Sequence, residues 1–250
     1  MIPPRRLMFD GTQDHRIFRE NGNAYLRIYM DIVGLEPDAH MLDVGSGIGR
    51  KTVALTRYLT SAGHYEGIEI VAAGVEWCTR HITSRYPNFR FTCMDIRNDL
   101  YNPDGSIEPT DVRYPFDDES FDFVMLGSVF THMLEPELDH YLSEIFRVLR
   151  PEGKLLVTYF LLNDDSRAHL AQGKGDFTFD HEHGSSYVND VSRPLAAVAY
   201  DEAFMRSRYA AHRFEVLEPI YLGTWCGRPA VWSNEYGNYQ DVIVASKRVL

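Results

Sequence analysis

Residues 41–50 read Met-Leu-Asp-Val-Gly-Ser-Gly-Ile-Gly-Arg: a short apolar run carrying an acid, then glycines at 45, 47 and 49. Glycines at alternate positions let the chain turn tightly and let a ligand approach the backbone. A helix that starts after such a turn presents free N–H groups. The dinucleotide fingerprint spaces its glycines G-x-G-x-x-G, whereas the spacing here is G-x-G-x-G, with Asp43 two residues ahead of the first. That acid is badly placed for a pyrophosphate. It suits a cationic ligand without phosphates, such as one carrying an ammonium group.

From residue 39 onward, short apolar runs alternate with helical patterns. Strands are predicted at 40–44, 65–70, 89–94, 121–126 and 154–160, and helices at 50–59, 73–85 and 137–149. In the last helix Leu138, Tyr141, Leu142, Ile145, Phe146 and Leu149 form one apolar stripe at i, i+3, i+4, i+7, i+8 and i+11. Pro87 stops the second helix, and Pro151-Glu-Gly153 stops the third. The alternation predicts an α/β fold, a parallel sheet with helices on both faces.

Two stretches leave this rhythm. Residues 1–38 hold a helical pattern at 23–32 and read as an N-terminal cap over a sheet edge. Residues 163–200 are polar with weak periodicity and read as an insertion or lid. A helix at 201–212 and strands at 214–223 and 241–246 follow, a pair able to close the sheet antiparallel. The expected organisation is a cap (1–38), a ligand-binding core (39–162), the insertion (163–200), and a C-terminal helix with a closing strand pair of the same domain (201–250).

The net charge of −11 repels a phosphate backbone on average, so nucleic acid is not an expected partner. Cys78, Cys93 and Cys226 form no C-x-x-C pair and no disulfide framework. The opening Met-Ile-Pro-Pro-Arg-Arg-Leu lacks the apolar core of a secretory signal. No apolar run approaches the roughly 20 residues that span a bilayer. A cytoplasmic protein with no membrane partner is expected.

Two more acids stand at predicted strand ends. Glu69, beside Ile70, can accept hydrogen bonds from ribose hydroxyls. Asp95, in Cys93-Met-Asp-Ile96, can accept one from an adenine amino group. Each acid alone reads equally well as a helix cap or a surface charge. Three at successive strand ends, behind one glycine turn, describe a nucleoside with no phosphate.

This constellation resembles the class I S-adenosylmethionine-dependent methyltransferases over residues 35–160. The motifs are Leu42-Asp-Val-Gly-Ser-Gly-Ile-Gly-Arg50, Tyr65-Glu-Gly-Ile-Glu-Ile70, Tyr114-Pro-Phe-Asp-Asp-Glu-Ser-Phe-Asp122, Ser128-Val-Phe-Thr-His-Met133 and Phe146-Arg-Val-Leu-Arg-Pro-Glu-Gly-Lys154. The resemblance implies a Rossmann-like, seven-stranded sheet in the order 3-2-1-4-5-7-6, with strand 7 antiparallel, and S-adenosyl-L-methionine as methyl donor. It assigns Asp43, Gly45, Gly47 and Gly49 to the donor's methionine end. Glu69 and the adjoining Ile70 fall to the ribose, Asp95 with the Ile96 backbone to the adenine, and Ser128 lies near the donor. Pro3-Pro-Arg-Arg-Leu7, Ser128-Val-Phe-Thr-His132 and Tyr239-Gln-Asp241 look like a bacterial group of small methyltransferases. Some methyltransferases of this broad kind act on sugars and glycans, which implies O-methylation. Ala211-His-Arg-Phe214 departs from the pattern, in which a glycine precedes the phenylalanine.

A methyl group on a sulfonium is already activated, so the protein's task is to align a nucleophile with it. A neutral hydroxyl also needs a base or a metal ion. His132 follows the fourth strand on the ligand side and is the candidate base, with a helix cap or local packing as the plainer reading. Asp164 and Asp165 are candidate Mg²⁺ ligands. Asp180-His-Glu-His183 lacks the H-E-x-x-H spacing of a zinc helix and reads as a polar lid. Tyr221, Trp225, Trp232, Tyr236 and Tyr239, near Gln240 and Asp241, suit a sugar ring or serve equally to pack the last strands. The expected function is methyl transfer to a small-molecule acceptor, a sugar or glycan hydroxyl. N- or O-methylation of a non-sugar natural product, and a non-catalytic donor-binding protein, are the alternatives. The expectation is compatible with a homodimer.

Overall fold

The computed structural model describes residues 1–230 and 239–248. Its strands, in chain order, are β1 (His40–Val44), β2 (His64–Glu69), β3 (Phe89–Cys93), β4 (Phe121–Leu126), β5 (Leu149–Tyr159), β6 (Leu161–Leu162), β7 (His181–His183), β8 (Ser186–Val188), β9 (Val198–Asp201), β10 (Phe214–Tyr221) and β11 (Asp241–Lys247). Seven of them form one sheet in the order β10-β11-β5-β4-β1-β2-β3. β1 pairs parallel with both β2 and β4, and β11 runs antiparallel between β5 and β10. Counted along this sheet the order is 3-2-1-4-5-7-6, the class I methyltransferase arrangement.

The central strands are buried on both faces, so each face requires a cover. Met41, Phe123, Met125 and Leu156 point to one side, while Leu42, Val124, Leu126 and Leu155 point to the other. The second side is covered by α4 (Glu135–Val148) and α6 (Glu202–Ala211), through Leu138, Leu142, Ile145, Met205 and Tyr209. The first side is covered by α1 (His15–Arg27), prolonged through Val33, together with α2 (Thr52–Leu55) and α3 (Ala72–Cys78). The N-terminal segment therefore packs across a face of the sheet rather than over its edge. Phe18 and Tyr29 are its buried anchors, and Tyr29 meets Phe123 edge-on at 5.5 Å. Asp14 starts α1 by accepting from the Arg16 and Ile17 N–H groups.

The polar segment 163–200 is ordered. It opens with α5 (Asp164–Leu170), whose Asn163 cap accepts from Ser166 N while Asn163 N donates to the Ser166 hydroxyl. β6, β9, β8 and β7 then build a small second sheet. His181, Glu182 and His183 lie exposed on its edge strand. Arg213, where the resemblance expects glycine, adopts φ +62° and lays its guanidinium over Phe146 at 4.1 Å.

Asp241, at the start of β11, ties β6 and the loop at 223–228 to the main sheet. Fully buried, it accepts from Leu161 N (2.8 Å), Gly223 N (2.7 Å), Trp225 Nε1 (2.7 Å) and Arg228 Nη1 (3.1 Å). Its carboxylate is structural and does not face the cavity described below. Asp241→Ala leaves four donors, one a buried guanidinium, without their acceptor. The expected loss in urea denaturation is about 3–5 kcal/mol, and a loss under 1 kcal/mol contradicts this role.

Candidate active site

Where β1 ends, the chain turns back across β2, and Gly45 N and Ser46 N both donate to Ile68 O. Gly45 and Gly47 have φ of +73° and +59°. A Cβ on Gly45 would lie 2.7 Å from Val129 Cγ2, and one on Gly47 would lie 2.2 Å from Asp10 Oδ2. The turn therefore needs glycine both for its dihedrals and for its clearance. It forms one wall of a cavity of about 620 Å³ that runs along the carboxyl ends of β3, β2, β1 and β4. That volume falls within the usual range for small-molecule sites.

Glu69, at the end of β2, lines this cavity. Its Oε2 accepts from Gly47 N (2.7 Å), and its Oε1 accepts from Ile70 N (2.8 Å) and Val71 N (2.9 Å). Burial raises its pKa, and those three N–H groups oppose the shift. The backbone thus fixes the carboxylate while leaving acceptor capacity for ligand hydroxyls. Asp43 is placed differently from its neighbours: it is fully buried behind the wall and does not line the cavity. Its Oδ2 accepts from Tyr65 OH (2.8 Å), and Lys51 Nζ stands 3.5 Å from Oδ1. Burial pushes its pKa up to about 6, against the pull of Lys51 and the Tyr65 hydrogen bond.

Asp95 is not brought to the cavity. Its exposed carboxylate accepts from Asn102 Nδ2, Ser106 N and Ser106 Oγ, pinning its own loop. Ile70, Ile96, Arg97, Asn98 and Tyr101 form that end of the lining instead. Gly49 also stays off the cavity, packed near Ile82 and Cys78. Residues 9–12 form an unexpected part of the wall. Arg50 Nη2 holds this arm through Asp10 Oδ1 (2.9 Å) and Thr12 O (3.1 Å).

Beyond β4 the cavity meets Ser128, Val129 and His132. Ser128 sits at φ +60° with its N–H on Thr158 Oγ1, and both hydroxyls donate to Gln240 Oε1. Those two bonds fix the Gln240 amide, with its NH₂ as the remaining donor. His132 Nδ1 lies 2.9 Å from Leu195 O. A carbonyl can only accept, so in the neutral ring the proton is on Nδ1 and the lone pair on Nε2. Burial lowers the His132 pKa, opposed by the Leu195 and Ala196 carbonyls. Tyr101, Phe160, Phe177 and Tyr239 supply aromatic walls here.

Trp225 packs in a core with Phe160 and Phe179, Tyr221 packs against the sheet, and Trp232 and Tyr236 lie outside the described residues. Asp164 and Asp165 are exposed in the first turn of α5, where acids complement the helix dipole. Asp165 is paired with Arg228 at 2.7 Å. Among the described residues no group of three His, Cys, Asp or Glu side chains is arranged to hold a metal ion. No described helix is long and apolar enough to cross a membrane.

Residues 42–157 match the family model described as methyltransferase domain. This segment, less than half of the chain, is similar to a methyltransferase domain. Phthiotriol/phenolphthiotriol dimycocerosates methyltransferase of Mycobacterium tuberculosis is 34% identical over 153 residues, covering 60% of this chain and 47% of that protein. The chain thus spans less than half the length of the first curated relatives it matches. Among solved structures, the Burkholderia thailandensis 1,6-didemethyltoxoflavin-N1-methyltransferase, with bound 1,6-didemethyltoxoflavin and S-adenosylhomocysteine, shares the fold. Its TM-score is 0.57 at 16% identity, over 95% of this chain and 82% of that one. A SAM-dependent methyltransferase from Aquifex aeolicus matches with a TM-score of 0.56 at 15% identity, over 99% and 100%.

The glycine turn carries a direct test. Gly47→Ala meets both the left-handed strain of about 1–2 kcal/mol and the Asp10 carboxylate. Gly173→Ala, at φ +68° with open space around the added Cβ, meets only the strain. In urea denaturation Gly47→Ala is expected to lose more stability than Gly173→Ala, and equal losses contradict the close approach of Asp10.

Proposed function

We propose that this chain is an S-adenosylmethionine-dependent O-methyltransferase whose acceptor is a small ring-bearing hydroxyl compound, a sugar or glycan terminus. The observation that carries the reading is the placing of His132 in the same cavity as the glycine turn and Glu69. In this reading Glu69 takes the ribose hydroxyls, Ile70, Ile96 and Arg97 border the adenine, and the 5′ substituent extends past Gly45 toward Ser128. The Glu69 carboxylate on the wall, with no phosphate cradle beside it, suits a nucleoside donor without phosphates.

The donor supplies an activated methyl group, so the protein's part is alignment and proton removal. As the acceptor oxygen bonds to the methyl carbon and the carbon–sulfur bond breaks, the hydroxyl proton passes to His132 Nε2. The Leu195 carbonyl holds the ring in the tautomer able to take it. We assign activation to His132 rather than to Mg²⁺, because Asp165 is committed to Arg228 and no third ligand accompanies Asp164 among the described residues. Gln240, whose amide oxygen is taken by Ser128 and Thr158, carries an NH₂ group suited to an oxygen on the acceptor. Aromatic walls with a polar rim accommodate the C–H face of a sugar, Tyr239 OH donating to Asp176 at that rim. Phe160 and Phe177, with ring centroids 5.1 Å apart, favour a second reading, a planar natural-product acceptor.

Methyl transfer from labelled S-adenosylmethionine to free sugars, short glycans and planar phenols tests the acceptor class. Label on sugars, undiminished by a chelator, is expected. Label confined to phenols supports the second reading, and dependence on Mg²⁺ removes His132 as the sole activator. His132→Ala is expected to bind S-adenosylhomocysteine normally while turnover falls about 10²–10⁴-fold. A change within a few-fold contradicts its role as base. Because burial lowers the His132 pKa, its neutral form persists below pH 6.5. The rate should therefore stay level on acidification through 6.5 and fall only at lower pH, and a fall centred above 6.5 contradicts the assignment. Glu69→Ala is expected to weaken S-adenosylhomocysteine binding by about 1–3 kcal/mol, read by calorimetry.

A further inference from the structure

We propose that Lys51 anchors the carboxylate at the amino-acid end of the donor, making this site selective for a complete donor over truncated nucleosides. The proposal rests on the donor reading above. Along the carboxyl edge of the sheet the cavity passes Ile96 after β3, Glu69 at the end of β2, Gly45 after β1 and Gly127 after β4. With the ribose at Glu69, whatever is attached at the 5′ position extends into the fork where β1 and β4 part.

Lys51 stands in that fork. Its side chain is 10% exposed, it lines the cavity, and its Nζ donates to Gly45 O at 2.8 Å. A Cβ on Gly127 would lie 3.3 Å from Nζ, which locates the ammonium between the two strand ends. An ammonium has three N–H donors and no acceptor. One donor is used by Gly45 O, and the pairing with Asp43 is loose at 3.5 Å, leaving Asp43 Oδ1 without a hydrogen bond. Among the described residues the cation is thus nearly buried, only partly satisfied, and open to the cavity on one side.

A donor's amino-acid end brings one cation and one anion. Beside Lys51 the ligand's ammonium is repelled, whereas its carboxylate completes the lysine's hydrogen bonds in a site of low dielectric. The neighbouring cation, Arg50, gives Nη2 to Asp10 and Thr12 O and stacks over Phe18 at 4.9 Å. Its Nε and Nη1 are buried without a hydrogen bond, so it is the rival anchor that the test must separate from Lys51.

The test is calorimetric titration of the full chain with S-adenosylhomocysteine and with its decarboxylated analogue, S-adenosyl-3-thiopropylamine, which keeps the nucleoside, the thioether and the amine. Wild type is expected to favour S-adenosylhomocysteine by about 10–100-fold, the strength of a hydrogen-bonded charge pair. Lys51→Met should remove most of that preference by weakening S-adenosylhomocysteine alone, and Lys51→Arg should retain part of it. Binding of the decarboxylated analogue to each variant shows that the site is folded. A preference unchanged in Lys51→Met overturns the proposal, as does one that survives there and is lost in Arg50→Gln. If folded wild type binds neither ligand, the donor reading fails as well, a result distinct from either of these.

Discussion

The structure depends on β1 having a parallel partner on each side. The order of strands reverses there, so the connections that follow β1 and β4 wind away from each other and leave a crevice at the carboxyl ends. Everything placed in the crevice follows from this fork. The Gly45–Ser46 turn can bend over β2 because Ile68 O accepts both N–H groups, and that bend presents Gly47 N to Glu69. Lys51, six residues beyond Gly45, is then carried back under the turn to Gly45 O.

Charge and burial act together around that fork. Asp43, Glu69 and Lys51 are all nearly buried, and burial works against the charged form of each. They persist because each is held by others: Glu69 by three backbone N–H groups, Asp43 by Tyr65 and Lys51, Lys51 by Asp43 and a carbonyl. Such a set is costly as scaffold alone, and carboxylates beside an apolar cavity are suited to a ligand with hydroxyl donors and positive charge. The other end of the cavity has a different character, with aromatic walls, a histidine whose tautomer is fixed by a carbonyl, and an amide fixed by two hydroxyls.

The fold was legible because its signals are local. Alternating apolar strands, the α4 stripe and the glycine turn each lie within a dozen residues, and the sheet order followed from motifs joined to them. The places of Glu69 and His132 on the cavity wall were legible for the same reason, since they stand at or just after the ends of strands that had been located. Asp95 occupied an equivalent position, yet its side chain goes to Asn102 and Ser106, partners supplied by a loop with no periodicity. Asn163-Asp-Asp-Ser166 reads as clustered oxygens for a metal and equally as a helix cap with acids in the first turn, and the fold uses the second. Strands of two to four residues in 161–201 are too short to show alternation. The arm at 9–12 and Lys51 reach the cavity only through tertiary contacts with Arg50 and Asp43, which no local pattern announces.

The most direct measurement is a crystal structure of the chain with S-adenosylhomocysteine. The account predicts ribose oxygens within hydrogen-bond distance of Glu69, adenine between Ile70 and Ile96, and the sulfur facing His132 across Ser128. A nucleoside lying in the reverse direction, with adenine at the β4 end, or a ligand bound outside this cavity, would contradict it.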